Sequence, residues 1–123
     1  MNTLRVTHNA GDQFSADIRG HTVVVDQPVA DGGGDAGPTP TELFVAGLAT
    51  CVAHYAKGYL TRHGLDPTGL AVGVDWEFAP DRPARVGRVE VRIDPPRSLP
   101  QDRRAGLLAV ASHCTVHNSL AQP

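Results

Sequence analysis

An α+β fold, running βββ-α-ββ-α around one long central helix, is what this sequence predicts. Three observations carry the prediction. Short β-prone runs separated by turn residues occupy the first part of the chain. A long helical pattern with clear start and stop signals lies between Thr39 and Gly64. Two alternating segments then precede a second helical pattern, which together call for sheets with helices to cover them. With 123 residues, the chain fits a single domain spanning residues 1–123, large enough to bury a core.

Leu4–Thr7 is a short β-prone run, and Phe14–Ile18 alternates apolar with small or polar residues. Arg19-Gly20-His21 turns the chain into Thr22–Val25, a β-branched run that reads as a buried strand. Asp26 closes that run as a strand-end polar residue, and Asp31–Pro38 is a glycine-rich loop. The helix opens with Thr39 as N-cap, Pro40 at the first helical position and Glu42 completing a capping box. Leu43, Phe44, Gly47, Leu48, Cys51, Val52, Tyr55 and Tyr59 mark its expected buried face, and Gly64 stops it after Arg62 and His63.

Val72, Val74, Trp76 and Phe78 alternate with Gly73, Asp75 and Glu77, and Val89, Val91 and Ile93 with Arg88, Glu90 and Arg92. Both segments suit strands with one covered face, joined by a turn at Pro80–Pro83. Pro95-Pro96 ends the second strand. Ser98 and Gln101 offer another capping-box start, and Leu107, Leu108, Ala111 and Cys114 are the expected buried stripe of the last helix.

Charge and composition exclude several function classes. A formal net charge of −2 gives none of the basic field that nucleic acid or an anionic membrane would require. No apolar run is long enough to span a bilayer, and Met1–Val6 has no signal-peptide pattern, so a cytoplasmic protein is expected. Two cysteines in that compartment are not a structural staple, because cytosolic thiols are kept reduced. They are buried small hydrophobes or they are chemistry.

A working cysteine needs a reason to ionise, such as a helix N-terminus, a cation or a histidine. Cys51 has His54 three residues on, and Cys114 has His117 at the same offset. The repeated Cys-x-x-His also admits a two-sulfur, two-nitrogen zinc site, although structural zinc pairs sit on knuckles rather than inside apolar helices. Gly32-Gly33-Gly34-Asp35-Ala36-Gly37 matches G-x-G-x-x-G, but Pro38 and Pro40 follow where a dinucleotide site needs its helix to open. Glu42 has a full explanation in the capping box, and Arg19 and His21 read as exposed turn residues.

Gly37-Pro38-Thr39-Pro40-Thr41-Glu42-Leu43-Phe44, followed by Ala46–Cys51, resembles the OsmC/Ohr family of osmotically inducible and organic hydroperoxide resistance proteins. Val25–Pro28, Leu99–Arg104 and His113–Leu120 agree, the last being similar to a C-P-V-H-x-x-L ending with Thr115 in place of proline. The resemblance implies an OsmC-like fold in which two chains intertwine as a homodimer with sites at the interface. It also implies a thiol peroxidase acting on organic hydroperoxides or hydrogen peroxide. In that scheme Cys51 is the peroxidatic nucleophile and Cys114 resolves its sulfenic acid as a disulfide, which an external dithiol such as a lipoylated protein reduces. No metal or organic cofactor is implied.

Peroxidase members of the family carry an arginine that here falls near Ala10, where none is present. They also carry a glutamate ten residues before the nucleophile, a place held here by Thr41, with Glu42 one residue on and about 100° around the helix. Arg19 is the candidate replacement cation and Glu42 its candidate support. The alternative function is a non-enzymatic thiol redox sensor or small-ligand binder of the same family.

Overall fold

Backbone chemistry punctuates the chain where the sequence places its turns, and the computed structural model, which describes Met1–Pro123, follows that punctuation closely. Strands β1 (Arg5–Ala10), β2 (Gln13–Ile18) and β3 (His21–Val25) form an antiparallel sheet in the order β1-β2-β3. Ile18 pairs with His21 across a two-residue turn in which Arg19 and Gly20 both have positive φ, 52° and 83°. That is the signature of a type I′ hairpin, whose twist matches the strands it joins.

The expected burial of Thr22–Val25 is corrected here. β3 pairs only with β2, its three valines are half-buried, and His21 and Thr22 are exposed. A β-branched run reports strand propensity, whereas burial depends on what covers the strand.

After β3 the chain makes a short 3-10 turn, Val29–Asp31, and enters the glycine-rich loop. Asp26 does much more than close a strand. Its carboxylate, only 2% exposed, accepts from the backbone N–H groups of Gln27 (2.7 Å), Ala36 (3.0 Å) and Gly34 (3.2 Å). These bonds, that from Ala36 foremost, hold its pKa below the ordinary carboxylate value. A side chain at Gly37 would place Cβ 2.1 Å from the Val24 carbonyl oxygen, and one at Gly33 equally close to that of Gln27. The glycines therefore permit close backbone packing around a carboxylate; the Gly34 and Ala36 amides go to Asp26, and those of Gly33 and Asp35 to the Pro28 and Gln27 carbonyls.

Helix α1 runs Pro40–Arg62. Its capping box forms as expected: Glu42 N–H donates to Thr39 Oγ1 (3.1 Å) and Thr39 N–H to Glu42 Oε1 (2.8 Å). Its end is a Schellman motif, with Leu65 N–H donating to Leu60 O, Gly64 N–H to Thr61 O, and Gly64 at φ 69°. The buried face is rotated from the expected one. Val45, Val52, Ala56, Tyr59 and Leu60 are buried, Leu48, Cys51 and Tyr55 are half-buried, and Phe44 is 47% exposed. Small Ala56 hides the true seam from a reading weighted toward large side chains.

The chain clusters into two units, Met1–Phe44 and Val45–Pro123. Within the second, β4 (Ala71–Phe78) and β5 (Val86–Asp94) form a two-stranded antiparallel ribbon. Its register sets Val72 opposite Ile93, Val74 opposite Val91 and Trp76 opposite Val89 on one face. The other face carries the ion pairs Arg92–Asp75 and Arg88–Glu90.

The last helical segment departs from expectation. Ser98 forms no capping box. A 3-10 turn, Gln101–Arg103, follows Pro100 and leads into α2 (Arg104–Ala111), and a separate helix α3 covers Thr115–Ala121. The break has a local cause: Ser112 Oγ donates to Leu108 O (2.6 Å), and the His113 ring bonds Ala109 O (2.8 Å). The His113 ring thus takes the Ala109 carbonyl while the His113 backbone N–H turns to Val110 O (3.2 Å), and Leu108 O accepts from both Ser112 N–H and Ser112 Oγ. Leu107 and Ala111 are buried as expected, but Leu108 is 59% exposed and Cys114 lies beyond the helix altogether. The core of this unit joins Val52, Ala56, Tyr59 and Leu60 of α1 to Leu99, Leu107, Ala111 and Cys114.

Candidate functional site

Breaking the C-terminal helix in two decides where Cys114 goes. With φ −71° and ψ 160° it is extended rather than helical, and it caps α3, its Sγ accepting from His117 N–H at 3.4 Å. Asn118 N–H donates to the Cys114 carbonyl (2.9 Å), starting the helix. Cys114 is fully buried, whereas Cys51, midway along α1, is only half-buried. Both sulfurs are free thiols.

The two cysteines are neighbours. Cys51 packs against the buried cluster containing Cys114, close enough for its sulfur to influence the ionisation of the Cys114 thiol. Val116 N–H donates to Cys51 Sγ at 3.5 Å. The first turn of α3 therefore directs its opening N–H groups at the sulfur pair, His117 at Cys114 and Val116 at Cys51 and also toward Cys114. Burial pushes the Cys114 thiol above its ordinary value; the His117 N–H opposes that shift and the adjacent Cys51 adds to it. One sulfur faces partly outward, and the other is an enclosed, protonated neighbour.

Other candidates are placed differently. His54 is exposed, its ring edge-on to Tyr55 at 5.9 Å. No group of three or more His, Cys, Asp or Glu side chains is arranged to hold a metal ion, so the paired Cys-x-x-His segments do not assemble a zinc set. Arg19 is exposed in its hairpin turn and makes no ion pair, and the Glu42 carboxylate serves its capping box. The residues missed in sequence are Val116, which acts through its N–H, and Thr115, whose Oγ1 lies 2.6 Å from Tyr55 Oη. No side-chain signal announces a backbone donor. The Cys114-Thr115-Val116 segment following a helix stop was the available clue.

Leu48, Val91, Leu108, His117 and Leu120 help line an apolar groove of about 440 Å³ that neither cysteine lines. No helix is long and apolar enough to cross a membrane.

Two free thiols packed together where a helix starts, in an α+β chain, are the class of site the fold defines. The family comparison identifies the fold. The family model for OsmC-like proteins matches residues 32–123, and the chain belongs to that family. Among solved structures it is similar to an osmotic stress induced and detoxification response protein from Psychrobacter arcticus 273-4, at 26% identity and TM-score 0.86. That match covers 97% of this chain and 88% of the other. It is also similar to an OsmC-like protein from Mycoplasma pneumoniae, with 14% identity, TM-score 0.83 and coverage of 99% and 88%. A third is an organic hydroperoxide resistance protein OsmC from Legionella pneumophila, with 17% identity, TM-score 0.72 and coverage of 99% and 91%. The last two likenesses concern the fold. Among curated proteins, none matches this chain.

Proposed function

We propose that this protein is a thiol-dependent peroxidase that reduces organic hydroperoxides or hydrogen peroxide. The observation that carries the reading is the contact between a half-open Cys51 and a buried Cys114, with Val116 N–H aimed at the Cys51 sulfur. The Cys51 thiolate attacks the distal peroxide oxygen, the O–O bond breaks, and the alkoxide takes a proton to leave as alcohol. Cys51 is left as sulfenic acid. Cys114, having lost its proton, attacks that sulfur, hydroxide leaves as water, and a Cys51–Cys114 disulfide results. An external dithiol, such as a lipoylated protein, then restores both thiols by exchange. Neither metal nor organic cofactor enters the cycle.

The reading places the protein in the cytoplasm, where such reductants operate, as a homodimer. Phe14, Ile18, Phe44, Phe78, Leu108 and Leu120 are each at least 40% exposed, a large apolar load for a monomer to leave in water. Arg19 and Glu42 remain candidates for the thiolate's electrostatic support on the family resemblance alone, Arg19 being exposed and Glu42 engaged in its capping box.

Stopped-flow oxidation of the reduced protein by cumene hydroperoxide tests the proposal. Oxidation far faster than that of a free thiol at the same pH supports it, and a rate no faster sinks it. The second reading, a non-enzymatic redox sensor or small-ligand binder, is favoured by the apolar groove, which is open to a ligand.

A further inference from the structure

Tyr55 and Thr115 are joined by a hydroxyl–hydroxyl hydrogen bond of 2.6 Å that the peroxidase scheme does not use. Its position is informative. Tyr55 stands four residues after Cys51 on α1, so it lies one turn along the same face. Thr115 is the first residue of α3, between Cys114 and the Val116 whose N–H reaches Cys51. The bond thus ties the helix carrying one sulfur to the short segment carrying the other sulfur and the backbone donor. The segment's other anchors are the buried Cys114, Val116 packed against the same core, and Asn118 Nδ2 donating to His113 O (3.1 Å), while the Tyr55–Thr115 bond ties its exposed edge to α1.

We infer that Tyr55 and Thr115 are positioning residues for the cysteine pair, holding the Cys114–Val116 segment so that Cys114 stays within reach of Cys51. The inference rests on the dithiol reading of the site but not on peroxidase activity. Restricting the arc available to the Cys114 sulfur raises the effective concentration of one thiol at the other, and ring closure to the disulfide becomes more favourable. Releasing the segment lowers that concentration and makes the disulfide easier to reduce.

Proline offers a separate control. Cys114 already has the extended conformation that a following proline demands, and the first helical position tolerates proline without loss of a needed donor. Thr115→Pro therefore removes the hydroxyl while stiffening the backbone that the hydroxyl steadies.

The test is the equilibrium of the Cys51–Cys114 couple in oxidised and reduced dithiothreitol, read by alkylation and mass spectrometry. In that exchange the two protein thiols are oxidised as the cyclic dithiothreitol disulfide is reduced, so no peroxide step is involved. For one exposed neutral hydrogen bond, Tyr55→Phe and Thr115→Val should each weaken the disulfide about threefold, or about 14 mV for a two-electron couple. The double variant should lose no more than either alone, and Thr115→Pro should remain close to the parent. A general loss of fold stability would lower Tm without producing this pattern. The inference is overturned if Tyr55→Phe leaves the equilibrium unchanged, if the two losses add, if Thr115→Pro falls with Thr115→Val, or if no Cys51–Cys114 disulfide forms. A protein that fails with cumene hydroperoxide yet shows the pattern loses the peroxidase reading alone.

Discussion

The step that closes the disulfide should be controlled by the proton on Cys114, and pH is the perturbation that exposes it. Burial is the largest cause holding that thiol above its ordinary value of 9.0, and it comes from the core cluster around Cys114. At a pH of about 7, a thiol titrating at or above 9.0 is thiolate in no more than about 1% of molecules. Only the thiolate attacks sulfur, so the rate constant for disulfide formation should rise about tenfold per pH unit, with no plateau below about pH 9. The assay oxidises Cys51 with one equivalent of hydroperoxide, jumps the pH, quenches with dimedone and an alkylating agent, and counts sulfenic acid against disulfide by mass. A rate constant that stays flat between about pH 6 and 9 would refute the reasoning. It would mean that a fixed base in the site removes the proton, and that enclosure of Cys114 does not set the rate.

Three other outcomes are expected. Cys114→Ser should keep the α3 cap, since serine is a favoured N-cap, while peroxide-treated protein accumulates dimedone-reactive Cys51 and catalytic turnover stops; undiminished turnover would remove Cys114 from the cycle. Asp26→Asn should lower Tm above the ordinary carboxylate value of 3.8. Because the folded pKa is depressed, the gap from the parent should close as pH falls through that depressed value; a gap independent of pH would place the effect elsewhere than in the charge. Gly37→Ala, whose Cβ would lie 2.1 Å from a backbone carbonyl oxygen, should cost about 1–3 kcal/mol or more in urea unfolding, and a neutral result would show that the loop can open freely.

Local signals in the chain were reliable where local chemistry alone decides. Thr39, Pro40, Glu42 and Gly64 bound α1 as read, because capping and left-handed geometry are settled within a few residues. Val72–Phe78 and Val89–Ile93 pair as alternation implies. Burial was harder to read. Phe44 and Leu108 are exposed although each fits an apolar rhythm, and Ala56 and Leu60 are the fully buried seam of α1. Periodicity identifies a face to within a residue or so, while the packed seam depends on which neighbour arrives and how closely small side chains let it approach.

The site divides along the same line. That Cys51 and Cys114 belong together rested on resemblance, since no spacing rule links positions so distant in sequence. How they belong together rests on the interruption at Ser112–Cys114. Had α2 continued through Cys114, as its apolar stripe suggested, the sulfur would have been one more core atom and Val116 N–H would have bonded within the helix. Because α2 ends at Ala111 and the extended Cys114 restarts the chain at Thr115, the opening N–H groups of α3 are left without intrahelical partners. Those of Val116 and His117 turn to Cys51 and Cys114, respectively. The chemistry open to the two sulfurs thus follows from the stop between α2 and α3, and a variant that fused the two short helices should lose both sulfur–amide contacts.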